Sequence, residues 1–235
     1  MKKTLALVAF LLGCSVAGQL GLRRQHTAVA PVLAEGALAA LGGLRSLAAE
    51  VVWFRADRLQ DEGRYVELAQ LASALTAMEP HTPEVWSYAA WNLAYNVSVM
   101  MATPEDRWRW VAAAIRLLRD EGLALNPGDP DLCRDLAWLF ELKLGTDLDA
   151  AAETYRRLWK ELVGDVARRG AWDELKMDAA KMRVIEERTG FADWTDPCLS
   201  AGYWCAEGLP AATGHTRAML QESLRQSSVL YRKRH

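Results

Sequence analysis

The chain has 235 residues, 51% of them hydrophobic, with 28 basic and 30 acidic side chains for a net charge of −2. That length suits one domain plus a tail or anchor, with apolar residues enough for a core. The near-even charge gives no general pull toward nucleic acid, and a chain dominated by Ala, Leu, Glu and Arg, with few β-branched clusters, points to an all-α protein.

Lys2-Lys3 precede an apolar run from Leu5 to Leu12, which weakens toward Leu22 before Arg23-Arg24. Residues 1–24 therefore read as a targeting segment. In one reading, residues 4–22 stay as a membrane anchor, because a helix of that length at about 1.5 Å per residue roughly spans a bilayer core. In a second, Leu11-Leu12-Gly13-Cys14 is similar to a bacterial lipobox, and cleavage would leave a lipidated Cys14. Plain secretion is a third. All three place the folded part outside the bacterial cytoplasm, facing the periplasm or the exterior. Residues 25–43, rich in Ala, Gly and Pro and poor in charge, read as a spacer.

Helical signals then come in pairs. Residues 44–62 stop at Gly63, and 64–79 end at Pro80. Residues 84–101 and 104–125 form a central hairpin turning at Ala102-Thr103-Pro104, where Thr103 can cap the second helix with Pro104 at its first position and Asp106 following. Residues 131–144 stop at Gly145. A helix capped by Thr146 or Asp147 runs to about Val163, and another spans 171–189 before Gly190. Residues 190–215 read as an irregular loop, and the last helix lies near 213–232. Short connections predict an antiparallel stack with no strand.

The prolines carry a register. Pro80 and Pro127 each close a helix pair, and Pro83 and Pro130 open the next three residues later. Counted from those openings, a small residue falls at the eighth position (Ala56, Ala90, Ala137) and a bulky one at the eleventh (Leu59, Leu93, Phe140). This pattern resembles tetratricopeptide (TPR) repeats, helix-turn-helix units of about 34 residues. The resemblance covers residues 44–163. The segments 53–57, 90–96, 107–110 and 117–122 are similar to a bacterial group of membrane-anchored TPR-like proteins. It implies an antiparallel helix-pair solenoid of about four pairs, with 164–235 as a C-terminal helical cap carrying the irregular loop. The unit from Pro83 to Pro130 is longer than the standard repeat, which implies an overhang. Its apolar tip (Met100, Met101, Trp108 and Trp110) is either covered by the chain itself or a docking surface.

In TPR proteins the first helix of each unit lines a concave groove. Carried over by position, the resemblance places Trp53 and Asp57, then Trp91 and Tyr95, then Arg134, Trp138 and Glu141 in that groove. Aromatic anchors among charges are the usual makeup of a peptide-binding hot spot. Trp53, Trp91, Tyr95 and Trp138 would anchor a partner, while Asp57, Arg134 and Glu141 would select it by charge. Two readings stay open: an exposed groove, or aromatics covered by the protein's own C-terminal helices. Asn92 and Asn96, one turn apart, share a face and either fix helix packing or grip a peptide backbone.

Cys198 and Cys205 flank a short stretch that a disulfide could close outside the cytoplasm, the other reading being free buried thiols. The basic end Tyr231–His235 reads as a solvated tail or as a contact for anionic lipid or an acidic partner. No H-E-x-x-H, P-loop, G-x-S-x-G, G-x-G-x-x-G or C-x-x-C occurs, so no catalytic residue, metal or cofactor is expected. The expected function is a non-enzymatic, membrane-tethered scaffold that binds a protein or peptide partner, not nucleic acid. The alternative is a small-ligand binder or enzyme accessory with a pocket closed by the 190–215 loop.

Overall fold

Prolines, glycines and short polar side chains set where the helices start and stop. The structure, a computed structural model, describes residues 51–56 and 58–235, and these form helices with no strand among them. The anchor, Cys14, the spacer and Asp57 lie outside the described residues. Helix α1 covers 51–56 and 58–61, and α2 runs Tyr65–Met78. Helix α3 is α-helical over Pro83–Trp91, widens to a π turn over Asn92–Val97 and tightens over Ser98–Met100. Helix α4 spans Pro104–Arg116, a π turn at Leu117–Gly122 and a last turn at Leu123–Leu125. Helix α5 spans Pro130–Trp138 and a π turn at Leu139–Leu144. Then follow α6 (Ala152–Arg169), a 3-10 turn (Trp172–Leu175), α7 (Ala179–Thr189), α8 (Pro197–Gly208) and α9 (Gly214–Arg234).

The caps explain these boundaries. The Thr103 hydroxyl accepts from the Asp106 amide at 3.1 Å, with Pro104 at the first helical position, as expected. Asp129 does the same for the amides of Asp131 and Leu132 at the head of α5. Helix α6 begins later than expected, at Ala152, and has no side-chain cap; Thr146 and Asp147 lie before it, and in the preceding turn Asp149 accepts from the Ala151 amide at 2.9 Å. The single helix expected over 171–189 is interrupted. Lys176 adopts a left-handed φ of 53°, and Asp178 starts α7 afresh by accepting from Ala180.

The largest departure is α8, which occupies most of the stretch expected to be an irregular loop. Asp196 caps it through the Cys198 amide at 2.8 Å, and Pro197 sits at its first position. Ten of its twelve residues are buried, so it is a central core helix. A helix apolar on every side shows no amphipathic period, which is why it reads as formless. Both neighbours press close on it. A Cβ on Gly208 would lie 2.7 Å from Cys133 Cβ on α5, so only glycine permits this approach.

Packing follows chain order at first and then folds back. Helix α2 packs on α3, α3 on α4 and α5, and α4 on α6; α5 packs on α8 and α9, which also pack on each other. The turn between α2 and α3 is stitched to the end of α4. The Pro80 carbonyl accepts from Trp86 Nε1 and Asn126 Nδ2, both at 2.9 Å, and His81 Nδ1 lies 3.0 Å from the Leu125 carbonyl. Ala56, Ala90 and Ala137 are all buried, as small residues at close crossings should be. Asn92 and Asn96 serve packing: Asn96 Nδ2 donates to Asn92 Oδ1, and buried Asn92 reaches the Tyr65 carbonyl on α2.

Helix α9 lies along α5 in the same direction. Thr216 donates to Asp131 at 2.9 Å, Ser223 donates to Glu141, and Arg234 reaches the Gly145 carbonyl at 3.2 Å. The basic end is therefore the last turn of a docked helix, held through Tyr231 and Arg234, while Arg232 and Lys233 stay exposed. Arg234 also pairs with Asp196 at 2.9 Å, and Tyr231 stacks between Phe191 and His235 with ring centroids 4.4 Å away on each side. Among the described residues, no helix is long and apolar enough to cross a membrane.

Candidate functional site

Five of the seven residues singled out for partner binding fall on one aromatic band. Tyr88, Trp91 and Tyr95 follow one another at helical spacing on α3 and so share a face. At one end Trp53 of α1, half-buried, meets Tyr88 edge-on at 5.0 Å. In the middle Trp91 stacks on Tyr95 with centroids 4.0 Å apart, yet remains 48% exposed. At the other end Trp138 of α5 carries the Arg134 guanidinium 5.2 Å from its ring centre. Arg134 is held in place by ion pairs to Asp131 and Asp135.

A narrow slot of about 10 Å³ separates α3 from α5, lined by Ser87, Trp91, Tyr95, Asp135, Trp138 and Leu139. It has room for about one water, so a partner's side chain would lie on the outer face of Trp91 and not in the slot. Burial pushes the Asp135 carboxyl above the usual carboxylate range, against the pull of Ser87 and Arg134.

Behind the band lies a buried polar cluster that sequence reasoning missed. Lys143, 3% exposed, places its ammonium 4.7 Å from the centre of the Tyr95 ring and 2.6 Å from Asp149. Arg107 stands 3.9 Å from the same carboxylate, and the Tyr155 hydroxyl donates to it at 3.4 Å. Burial alone would raise the Asp149 carboxyl. The Lys143 hydrogen bond, the Ala151 amide and the charges of Lys143 and Arg107 outweigh it and hold the group below its ordinary value. The Tyr95 hydroxyl is buried without a partner among the described residues, and burial drives its ionisation upward. The only hint in the sequence is a lysine between two leucines, Leu142-Lys143-Leu144.

One assignment is corrected, and of two open readings of the cysteines the structure has one. Glu141 is not on the groove: it is 6% exposed and accepts from Ser223 and Ser227 of α9. It lies in the π turn Leu139–Leu144, where each hydrogen bond reaches one residue further than in an α-helix, so counting from Pro130 at 3.6 residues per turn misplaces it. Burial raises its carboxyl, and the two serine hydroxyls only partly offset this. Cys198 and Cys205 are free buried thiols, not a disulfide. Both sit in α8, seven residues apart, roughly 10 Å along the axis, and a disulfide needs Cα atoms within about 7 Å. Burial pushes both thiols up to about 12.

At the expected overhang, Met100 is 52% exposed and Met101 half-buried. Trp108 and Trp110 are half-buried, and Trp108 packs toward Tyr155 of α6 at 6.1 Å. Among the described residues, no three His, Cys, Asp or Glu side chains gather as a metal site would require. In comparisons with known proteins, no family model, no curated protein and no solved structure matches the chain.

Proposed function

We propose that this chain is a non-enzymatic scaffold of TPR-like helix pairs, tethered at the bacterial membrane by its N-terminus, which holds a protein or peptide partner against the band from Trp53 to Trp138. The repeat reading is supported by the buried alanines at matching positions and by the stitching of the turn at Pro80 to the end of α4. The binding reading rests on one observation above the others: Trp91 is held rigid by stacking on Tyr95 and still leaves about half of its surface in solvent. A large aromatic exposed without freedom to fold away costs little entropy to bind. Arg134, fixed over Trp138, supplies a charge at the end of the band. The stretch 197–208, which the alternative reading needed as a lid, is core helix, so a pocket closed by that stretch has no support.

The test is crosslinked purification of the full-length protein from native membranes, wild type beside Trp91→Ala. A stoichiometric protein recovered with wild type and lost with the variant, at unchanged helicity, is the expected result. Equal recovery with both, or recovery of neither, would reject the reading.

A further inference from the structure

A cleft of about 220 Å³ opens between α4, α6 and the 3-10 turn, on residues the aromatic band does not use. Its floor is apolar: Ile115, Trp159, Val166 and Leu175 are each under 5% exposed. Set into that floor is Arg119, only 8% exposed. Its Nε and Nη2 donate to Asp120 at 2.7 and 2.9 Å, and its Nη1 makes no hydrogen bond among the described residues. Trp159, 3% exposed, has a buried indole Nε1 with no partner among the described residues. A buried donor like the Trp159 indole is rare in folded proteins, while the free Nη1 of Arg119 is left to whatever enters the cleft.

The mouth repeats the imbalance. Its two carboxylates are occupied: Asp165 by Arg168 and Arg169, and Glu174 by Arg169 at 2.6 Å. Arg116, exposed at the rim, has no ion pair among the described residues. Of the charged side chains lining this cleft, Arg116 is the one without an ion pair among the described residues, so the mouth carries a surplus cation. The cleft is far larger than a single water needs, and its apolar floor has few acceptors to hold water.

We propose that this cleft binds a small amphipathic organic anion, a carboxylate on a compact apolar body. The body would lie on Ile115, Val166 and Leu175, and the carboxylate would meet Arg116 at the rim together with the free Nη1 of Arg119. This site is separate from the Trp91 band, and its failure would leave that reading untouched.

The test uses the full-length protein in lipid nanodiscs and calorimetric titration with 4-phenylbutyrate, against 4-phenylbutylamine as the cation of matching shape. Saturable binding of the acid and none of the amine is expected. Arg116→Gln should weaken the acid roughly three- to tenfold, as loss of one charge-assisted contact does. Ala112→Phe, which fills the cleft, should abolish binding at wild-type helicity. Should that variant fail to fold, Leu162→Trp crowds the exposed mouth and must also remove binding. No saturable binding of the acid, equal binding of the amine, or undiminished binding in Leu162→Trp overturns the proposal.

Discussion

Helix α5 turns one side toward α3 and another toward α8 and α9, and two buried carboxylates, Asp149 and Glu141, meet opposite fates there. Toward α3, Lys143 reaches from the helix to Asp149, and the cation holds that buried carboxyl below its ordinary value. Toward α9, Glu141 meets only serine hydroxyls, and burial carries its carboxyl upward. Nearer the surface on the α3 side, Asp135 keeps Arg134 as a partner and still rises, because burial outweighs the pair. What decides each case is the balance between burial and the summed hydrogen bonds and charges that oppose it: Asp149 has two cations and a backbone amide on its side, and Asp135 and Glu141 have less.

The strongest break of this contrast is Asp149→Ala. It strands the Lys143 ammonium at 3% exposure, and an orphaned buried charge of this kind costs about 3–5 kcal/mol. Urea denaturation at neutral pH should show that loss. Because Asp149 is held low, its contribution is full above the unfolded carboxyl value and is lost as pH falls through the folded one. The gap between wild type and variant should therefore narrow on acidification.

Gly208→Ala acts on the other side of α5. Its new Cβ meets Cys133 across two rigid helices, and overpacking of that sort costs about 1–3 kcal/mol. The drop should appear in the same denaturation midpoint without pH dependence.

Glu141→Gln sharpens the comparison by removing the charge and keeping the shape. A raised carboxyl favours the protonated fold, so the contribution of Glu141 is largest below its unfolded value and declines as pH rises through the folded one. The glutamine variant should be more stable than wild type at neutral pH by about 1 kcal/mol. That advantage should vanish in acid, the reverse of the Asp149 trend, and paired thermal melts across pH would show it.

Trp91→Ala should have the smallest effect on folding, about 0.5–1 kcal/mol for a lost stacking contact on an exposed ring. Its effect on partner recovery should be total. A large loss of helicity would instead make Trp91 a core residue.

What could be read from the sequence was local. Thr103 with Asp106 announces a helix start through atoms three residues apart, Pro130 marks the opening of another, and the structure has both there. Trp91 and Tyr95 were legible as neighbours because four residues make about one turn. Helix α8 was not, since uniform burial erases the polar face that marks a helix. Glu141 was misplaced because a π turn changes the count without a signature of its own. The Lys143–Asp149 pair depends on how the loop after Gly145 returns, which no spacing encodes.

The strip where α9 lies along α5 also bears on synthesis. Its hydrogen-bonded partners are 82 to 89 residues apart. At about 5–20 residues per second, α5 leaves the ribosome roughly 4–18 s before the residues that cover it. For that interval Glu141 is solvated and the apolar side of α5 is bare, while α2 and α3 can already pair through contacts close in sequence. The first half of the described chain can thus form as it emerges, and the second must wait for its final turn, where Arg234 fastens to Gly145 and Asp196. A cell making this protein therefore has a brief window in which a chaperone or a neighbouring nascent chain can reach the α5 surface, and the emergence of α9 closes it.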